Sequence, residues 1–356
     1  MAYVVFDNKL VQTTTQLVHE ILQVFNQNSN GCVLLTNDAI LKDYTETVSL
    51  GLIDNLVTDR NAYAAPGTKV DVKVLAQLLT NSVNLSAKVG PVTLPDAITK
   101  KIGTDMDAAA AAIAAQAAQA ILIRYINSGF GAAAAAIGSN AAMIYTQPEN
   151  DIKPYGSKFP TLEDFALAKI PLGDQQAMLR LWGMSGAQWL TFQAREAIKS
   201  AKLVFELENM RIFGDGLGSN FLVSDAVGTA IGADTLIGLT PEAVIMKQSG
   251  LDMRVRDNGT EEENFRRTWK GEFDYSVAVK GYKLKDSVIA AAKAVPRSFT
   301  TADITNTENW EKDKGSVGIA HVDNTGAAQA APVRANKETA GVLIKLTATA
   351  AEETGG

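Results

Sequence analysis

The strongest structural signal in the chain is the stretch TDMDAAAAAIAAQAAQAILIRYINSGFGAAAAAIG, residues 104–138. Alanine has the highest helix propensity, Thr104 is a good N-cap, and the two aspartates after it lie at the positive end of the helix dipole. Gly129 and Gly131 weaken the helix, but the alanines after them can continue it. Unbroken, the helix would be about 50 Å long at ~1.5 Å per residue. The sequence therefore predicts a long helix that other elements can approach closely.

We do not expect this helix to cross a membrane. Alanine is only weakly hydrophobic, and Gln116, Gln119 and Arg124 interrupt the apolar run. The start of the chain, MAYVVFD, lacks the basic region, apolar stretch and cleavage site of a secretory signal. We therefore expect a protein that is made and folded in the cytosol, with no membrane partner.

A short helix and a long β-hairpin are predicted before the long helix. Residues 13–27 place apolar side chains at helical spacing. Two β-prone runs, 46–59 and 69–85, flank the segment RNAYAAPGT at 60–68, in which Pro-Gly marks a turn. A two-stranded hairpin is only marginally stable alone. It should lie against another surface, and nothing nearby in the sequence offers one.

The sequence after the long helix alternates between α and β patterns. Residues 148–156 form a polar, proline-containing linker, and Thr161 is placed to cap a helix at 162–169. Further predicted elements are a strand at 177–184, a helix at 187–200, and short strands at 210–213 and 221–224. Together these patterns predict a compact α/β lobe over residues 161–232.

Two longer strands complete the predicted core. One strand, 243–252, runs towards a polar turn at 256–263, and the return strand covers 265–284. Along the return strand, one face is formed by alternating apolar side chains: Phe273, Tyr275, Val277 and Val279. The tail after Lys285 is polar and contains one short apolar strand at 340–346.

Composition limits the classes of function. The 356 residues include 33 Lys and Arg against 39 Asp and Glu, a formal net charge of -6. A dedicated nucleic-acid reader usually carries a basic excess or stripe, so any DNA contact should be weak and non-specific. Cys32 is the single cysteine, which excludes an intrachain disulfide, and its apolar neighbours predict a buried side chain.

No residues with catalytic spacing are evident. His19 and His321 are isolated, and with Cys32 they suggest neither a metal site nor a histidine-based catalytic set. We therefore predict no catalytic, cofactor-binding or metal-binding residues, no cofactor and no enzymatic activity.

Three further motifs have plain structural interpretations. The glycine-rich run 214–218 lacks the Lys-Ser/Thr ending of a nucleotide loop and precedes a β-prone segment, which favours a turn between strands. The acidic segment 257–263 lacks calcium-loop spacing and is expected to be a solvated hairpin tip or to contact a neighbour's basic patch. The pairs 100–101 (Lys-Lys) and 266–267 (Arg-Arg) are expected to be solvated, the alternative being contact with another subunit or DNA.

Several segments look like phage capsid sequences. They are RNAY at 60–63, LWGMSGA at 181–187, RIFG at 211–214, FLVSD at 221–225, TWKGEFDY at 268–275, VKGY at 279–282 and KETAGV at 337–342. Together with the order of the predicted elements, they make the chain resemble the Hong Kong 97-type major capsid protein of tailed bacteriophages. The resemblance covers nearly the whole chain.

The resemblance implies an α+β fold with five parts. These are an N-terminal arm and helix at 1–39, an extended β-hairpin loop at 40–99, a peripheral domain at 100–147 and 233–300 with the spine helix and a β-hairpin, an axial α/β domain at 148–232, and a C-terminal segment at 301–356. The extended loop would lie over an adjacent subunit, which would supply the hairpin's missing surface.

The resemblance also implies function and partners. The chain would self-assemble into hexamers and pentamers that form an icosahedral head enclosing double-stranded DNA. A separate scaffolding protein is implied because about forty residues precede the extended loop. A portal protein, a possible decoration protein and non-specific contact with packaged DNA complete the expected partners. Assembly would take place in the host cytoplasm and the product would be part of the virion. Some members crosslink through Lys and Asn, but nothing identifies such a pair here.

Three alternatives remain open from the sequence. An encapsulin-type nanocompartment shares this fold and encloses cargo enzymes. A phage tail tube or sheath protein would also be acidic and lack a catalytic site, but gives no reason for the long alanine helix. A cytosolic enzyme would need an acidic pair that the fold brings together.

Overall fold

The structure, a computed structural model, describes residues 2–38, 40, 44–52, 61–65, 67, 76–95, 106–148, 160–196, 202–207, 210–214, 219–258, 266–313 and 334–347. The helices are α1 (Ala2–Asn28), α2 (Met106–Gly138), α3 (Leu162–Leu167), α4 (Gly186–Glu196), α5 (Asp225–Ile231), α6 (Asp286–Ala294) and α7 (Thr301–Thr305). The strands are β1 (Val33–Thr36), β2 (Thr45–Leu52), β3 (Ala76–Pro95), β4 (Ile144–Thr146), β5 (Leu181–Met184), β6 (Lys202–Leu207), β7 (Met210–Gly214), β8 (Asn220–Ser224), β9 (Thr235–Leu239), β10 (Val244–Gln248), β11 (Asp252–Asn258), β12 (Arg266–Val279), β13 (Tyr282–Leu284), β14 (Trp310–Lys312) and β15 (Gly341–Lys345). The predicted α+β class is confirmed.

Helix α2 is the predicted spine, and it runs for 33 residues through both glycines. A Cβ at Gly129 would lie 2.8 Å from Met246 Sδ, and one at Gly131 would lie 2.7 Å from Thr305 Cγ2. The glycines therefore stand where other elements pack directly on the helix backbone, at a cost in helix propensity of about 1 kcal/mol each. The predicted N-cap, Thr104, lies outside the described residues.

The expectation that α2 is too weakly apolar to span a membrane needs correction. By length and composition alone, the segment Ala111–Gly138 is long and apolar enough to cross a membrane, with a mean hydropathy of 1.4. However, 72% of its most apolar window is buried inside the protein. The same signature belongs to a core helix, because a helix that is apolar all round can be covered by other elements.

The first sheet has the order β1-β10-β12-β3-β2, and β11 also pairs with β12. The predicted strand 243–252 is in fact two strands, β10 and β11, which both lie antiparallel to β12 and are interrupted at residues 249–251. The alternating apolar face predicted for β12 is confirmed by side chains that are all buried: Phe273, Tyr275, Val277 and Val279.

The hairpin of β2 and β3 is better supported than the sequence predicted. Strand β3 pairs with β2 from Ala76 to Val83 and with β12 from Ser82 to Pro95. The root of the hairpin is therefore part of a larger sheet, built by pairing with residues almost two hundred positions away. Between Ala76 and Ser82, where β12 no longer pairs with β3, the described ladder consists of β2 and β3 alone.

The second sheet has the order β4-β15-β9-β5-β8-β7-β6. Its strand β9 pairs with β5 and β15, although the expected axial domain ended at residue 232. Strand β15 comes from the expected C-terminal segment, and β4 follows the spine helix. These pairings place parts of three predicted segments in one sheet, since sheet partners need not be neighbours in sequence.

Other element boundaries also differ from the predictions. Helix α1 begins at Ala2 instead of residue 13, and α4 ends at Glu196, with residues 197–200 outside the description. Residues Ile170–Met178 form 3₁₀ turns, so the strand predicted from 177 begins at Leu181. Strand β6 was not predicted, and the tail holds additional elements: α6, α7 and β14. The linker at 149–156 lies outside the described residues.

Aromatic contacts hold each sheet to its helices. Beside the second sheet, the Phe165 ring lies edge-on to the Trp182 ring with centroids 4.7 Å apart, and its centroid is 5.1 Å from that of Phe192. Beneath the first sheet, Tyr125 of the spine lies 5.5 Å from Phe273, and Ser128 Oγ is 3.0 Å from Tyr275 Oη. The predicted cap of α3 is confirmed as a full capping box of Thr161 and Asp164.

Candidate assembly surfaces

The one cysteine and the one histidine within the described residues occupy structural positions. Cys32 is fully buried, and burial raises the pKa of its thiol to about 12, so the thiolate needed for nucleophilic attack or metal binding does not form. His19 lies exposed on α1, 3.2 Å from Gln23 Nε2. His321 is outside the described residues. In the part of the chain that is described, no group of three His, Cys, Asp or Glu side chains could hold a metal ion.

The glycine-rich and acidic segments lie between antiparallel strands. Gly214 of β7 pairs with Asn220 of β8, so the run that begins at Gly214 connects two neighbouring strands, as predicted. Asn258 pairs with Arg266, which places the acidic segment at the end of the β11–β12 hairpin. Residues 215–218 and 259–265, and the lysines at 100–101, lie outside the described residues.

Of the arginines at 266–267, the structure describes the side chain of Arg266, which is exposed at the start of β12. On the exposed face, Arg254 pairs with Asp252 at 3.1 Å, and Lys270 pairs with Glu272. The Lys270 ammonium lowers the pKa of the Glu272 carboxyl. Mixed charges of this kind do not form the basic stripe typical of a nucleic-acid-binding surface.

The described part of the hairpin tip is fully exposed. All five residues at 61–65 are exposed, and Tyr63 is 96% exposed. Asn61 shapes this turn, because its Oδ1 accepts a bond from the Tyr63 N–H at 3.0 Å and its carbonyl accepts one from Ala64 at 3.3 Å. A large aromatic ring flanked by alanines is thus exposed to solvent.

A cleft of about 470 Å³ lies at the base of the hairpin, on the exposed face of the first sheet; we call it the hairpin-root cleft. Its lining comes from five separate parts of the chain: Ile40 and Tyr44, residues 84–86 of β3, Ser249, Asp274 of β12, and residues 296–298. Because no local motif contains them, the sequence did not indicate this site.

One wall of the hairpin-root cleft is firmly held. The Arg297 guanidinium donates two bonds to the Asp303 carboxylate, at 2.7 and 2.8 Å, and holds the pKa of that carboxyl far below its usual range. Asp303 also accepts bonds from the backbone and hydroxyl of Thr300, both at 2.8 Å. The Tyr44 ring packs edge-on against Phe299 at 6.0 Å.

Helix α4 has an apolar outer face. Ala187, Leu190 and Ala194 are exposed at helical spacing, while Gln188 is buried and its amide bonds the Ala233 carbonyl at 2.9 Å. Further exposed apolar side chains in this lobe are Leu162, Ile170, Met178 and Leu203. The sequence alone does not show that a leucine is exposed, since apolar residues are common on protein surfaces. Nothing in the sequence showed that Gln188, on the opposite side of the helix, is the buried one.

A buried ion pair fixes the tail to the turn after β12. Asp313 is fully buried and Arg334 is 8% exposed, with Nη2 and Oδ2 3.8 Å apart. The Asp313 N–H donates to the Gly281 carbonyl at 2.9 Å. The pair joins the two ends of residues 314–333, next to the point where the chain enters the second sheet.

Comparisons with known proteins agree with a capsid role. The model of a family described as major capsid protein 13-like matches residues 2–318. No curated protein resembles the chain closely enough to count as a relative. Similar solved structures include one from Mycobacterium phage Adephagia, at 11% identity over 71% of this chain and 83% of that chain, with a TM-score of 0.47. The capsid of cyanophage P-SCSP1u is 10% identical over 70% and 84%, with a TM-score of 0.42. The capsid of Ralstonia phage GP4 is 10% identical over 71% and 84%, with a TM-score of 0.42.

Proposed function

The chain belongs to the major capsid protein 13-like family, and we propose that it assembles with copies of itself into hexamers and pentamers that form an icosahedral head around double-stranded DNA. The observation that carries the proposal is the family match, which extends over residues 2–318. A subunit of a closed shell must offer complementary surfaces to its neighbours. Two described surfaces could serve as such contacts: the outer face of α4 and the tip of the β2–β3 hairpin.

In this proposal, the lobe of the second sheet surrounds each capsomer axis. Exposed Leu190 on α4, with Ala187 and Ala194 beside it at helical spacing, offers an apolar strip that a neighbouring copy could cover. The axial domain would then include β9 and β15 in addition to residues 148–232. The spine helix and the first sheet would form the peripheral domain, with α1 packed on the spine as the N-terminal arm.

The extended hairpin would lie over an adjacent subunit. Its described ladder is two-stranded beyond Ser82, and such a ribbon is marginally stable without a supporting surface. A neighbouring copy would supply that surface. The fully exposed tip residues 61–65 would then be buried in the assembled shell.

DNA would be enclosed with little direct binding. The net charge of -6 and the local pairing of Arg254 and Lys270 with carboxylates support only weak, salt-sensitive contact. A separate scaffolding protein, a portal protein and possibly a decoration protein remain proposed partners, with assembly in the host cytoplasm. The family match does not favour the encapsulin, tail-protein or enzyme alternatives.

Deletion of residues 62–69 tests the role of the hairpin. We expect closed shells to disappear while soluble subunits remain, because the deletion removes the tip that reaches the neighbour. Circular dichroism and the denaturation midpoint should match those of the intact chain, which would exclude misfolding. Normal shells from this variant would contradict the proposed role.

A further inference from the structure

We infer that the hairpin tip of one copy inserts Tyr63 into the hairpin-root cleft of a second copy. The inference rests on the proposed self-assembly and goes further, because it names both contact surfaces. Tyr63 is the exposed aromatic anchor, and the cleft of about 470 Å³ is its receptor. The volume falls within the range of about 300–1,000 Å³ that is typical of binding pockets.

The tip has the properties of an anchor. Tyrosine offers a large rigid surface and a hydroxyl, and it is enriched among the residues that dominate binding energy at interfaces. The neighbours at 62, 64 and 65 are alanines, which are too small to shield the ring. The bonds from Asn61 to the tip backbone shape the turn before any partner arrives.

The cleft offers matching chemistry. Tyr44 and Pro296 provide apolar surface for a ring, and Asp274 with the nearby serines provides polar groups. The Asp274 carboxylate is exposed and makes no side-chain hydrogen bond or ion pair within the described residues, so it can accept a bond from a phenol hydroxyl. The tip sequence also carries Arg60, whose charge is opposite to that of Asp274.

The wall of the cleft is preorganised. Both outer nitrogens of Arg297 are engaged by Asp303, and Lys293 Nζ lies over the Tyr44 ring at 5.7 Å from its centroid. A cleft that is already rigid loses little conformational entropy when it binds.

The occupant must come from a second copy. In its own chain, Tyr63 remains 96% exposed, so it does not occupy its own cleft. The ladder from Thr45 to Leu52 leads away from the cleft at the root. Ten residues separate Leu52 from Tyr63, so Tyr63 can reach a point up to about 40 Å beyond the ladder. A tip and a cleft on opposite ends of one hairpin make a head-to-tail contact, the type of contact from which cyclic capsomers can be built.

Disulfide trapping tests the inference. The chain suits this method because its one native cysteine, Cys32, is fully buried. The variant carries Y63C together with S298C in the cleft wall, and the control carries Y63C together with T229C on α5 of the other lobe. Two cysteines bridge only when their Cα atoms lie within about 7 Å. After mild oxidation of assembled particles, we expect covalent multimers from the first pair and none from the control.

The outcomes separate this inference from the proposed function. Closed particles without crosslinks, with crosslinks confined to single chains, or with equal crosslinking of the control would overturn the tip-to-cleft contact and leave the capsid role standing. Failure of the unmodified chain to form any particle, alone or with a scaffolding protein, would instead contradict the proposed function.

Two further measurements apply if the cysteine variants do not assemble. Y63A should raise the subunit concentration needed for assembly about tenfold or more, while Y63F should change it much less, since the ring supplies most of the contact. In unmodified particles, hydroxyl radicals should oxidise Tyr63 and Tyr44 more slowly than in free subunits. Unchanged oxidation of either tyrosine, or equal effects of Y63A and Y63F, would overturn the inference.

Discussion

The contact between the spine helix and α7 leads to a quantitative prediction for Gly131→Ala. Alanine gains about 1 kcal/mol over glycine in a helix interior. Here, however, its Cβ would lie 2.7 Å from Thr305 Cγ2, while its other neighbours are at ordinary distances of 3.6 and 3.8 Å. Thr305 Oγ1 bonds the Thr301 carbonyl at 3.0 Å, which restrains the methyl group. Overpacking of this kind costs about 1–3 kcal/mol, so we expect a net loss of about 1 kcal/mol.

The matched background is Thr305→Ser, which keeps the hydroxyl and removes the methyl group. In that background, G131A should stabilise the protein by about 1 kcal/mol, since only the propensity gain remains. The two substitutions should therefore couple by about 2 kcal/mol. The assay is guanidinium unfolding of unassembled subunits, followed by tryptophan fluorescence; buried Trp310, bonded to the Ile304 carbonyl, lies next to the site. The same stabilising effect of G131A in both backgrounds would refute the reasoning.

Three further predictions concern the same subunit. D303N should destabilise the protein by about 1 kcal/mol near pH 7. Because the folded-state pKa of Asp303 is lowered, the difference in stability from wild type should shrink as the pH falls below about 4. A difference in denaturant midpoints that does not change with pH would contradict this prediction. R334A should lower the free energy of unfolding by about 3 kcal/mol, because it removes Arg334 as ion-pair partner of the buried Asp313 carboxylate. The control K337A breaks an exposed pair with Asp174 and should lower it by less than about 1 kcal/mol. Equal losses in the two variants would contradict a stabilising role for the buried pair. Cys32 should not react with a thiol reagent in the folded subunit and should react once denaturant is added, so fast labelling of the native protein would be inconsistent with its burial.

Elements with strong local signals were predictable from the sequence. The alanine run predicted α2, and Thr161 as an N-cap predicted the start of α3. Alternation identified the buried face of β12. The same capping signal at Thr300 and Asp303 could have identified α7, but the surrounding tail has a polar composition that suggested irregular structure. Helix α1 includes the β-prone residues at 3–6, since β propensity is only a weak guide to the structure of a single segment.

Non-local features were not predictable in the same way. The second sheet recruits β4, β9 and β15 from distant parts of the chain, and their short apolar sequences do not specify a partner. The hairpin-root cleft likewise requires residues 40 and 44, 84–86, 249, 274 and 296–298 to meet. Such sites depend on the register of strand pairing, which a single sequence does not contain.

Electron microscopy of the purified chain tests the central claim most directly. The chain should be examined alone and after co-expression with its candidate scaffolding protein. The account predicts closed, uniform icosahedral shells under at least one of these conditions. Small soluble subunits under both conditions, or tubes with axial symmetry, would contradict it.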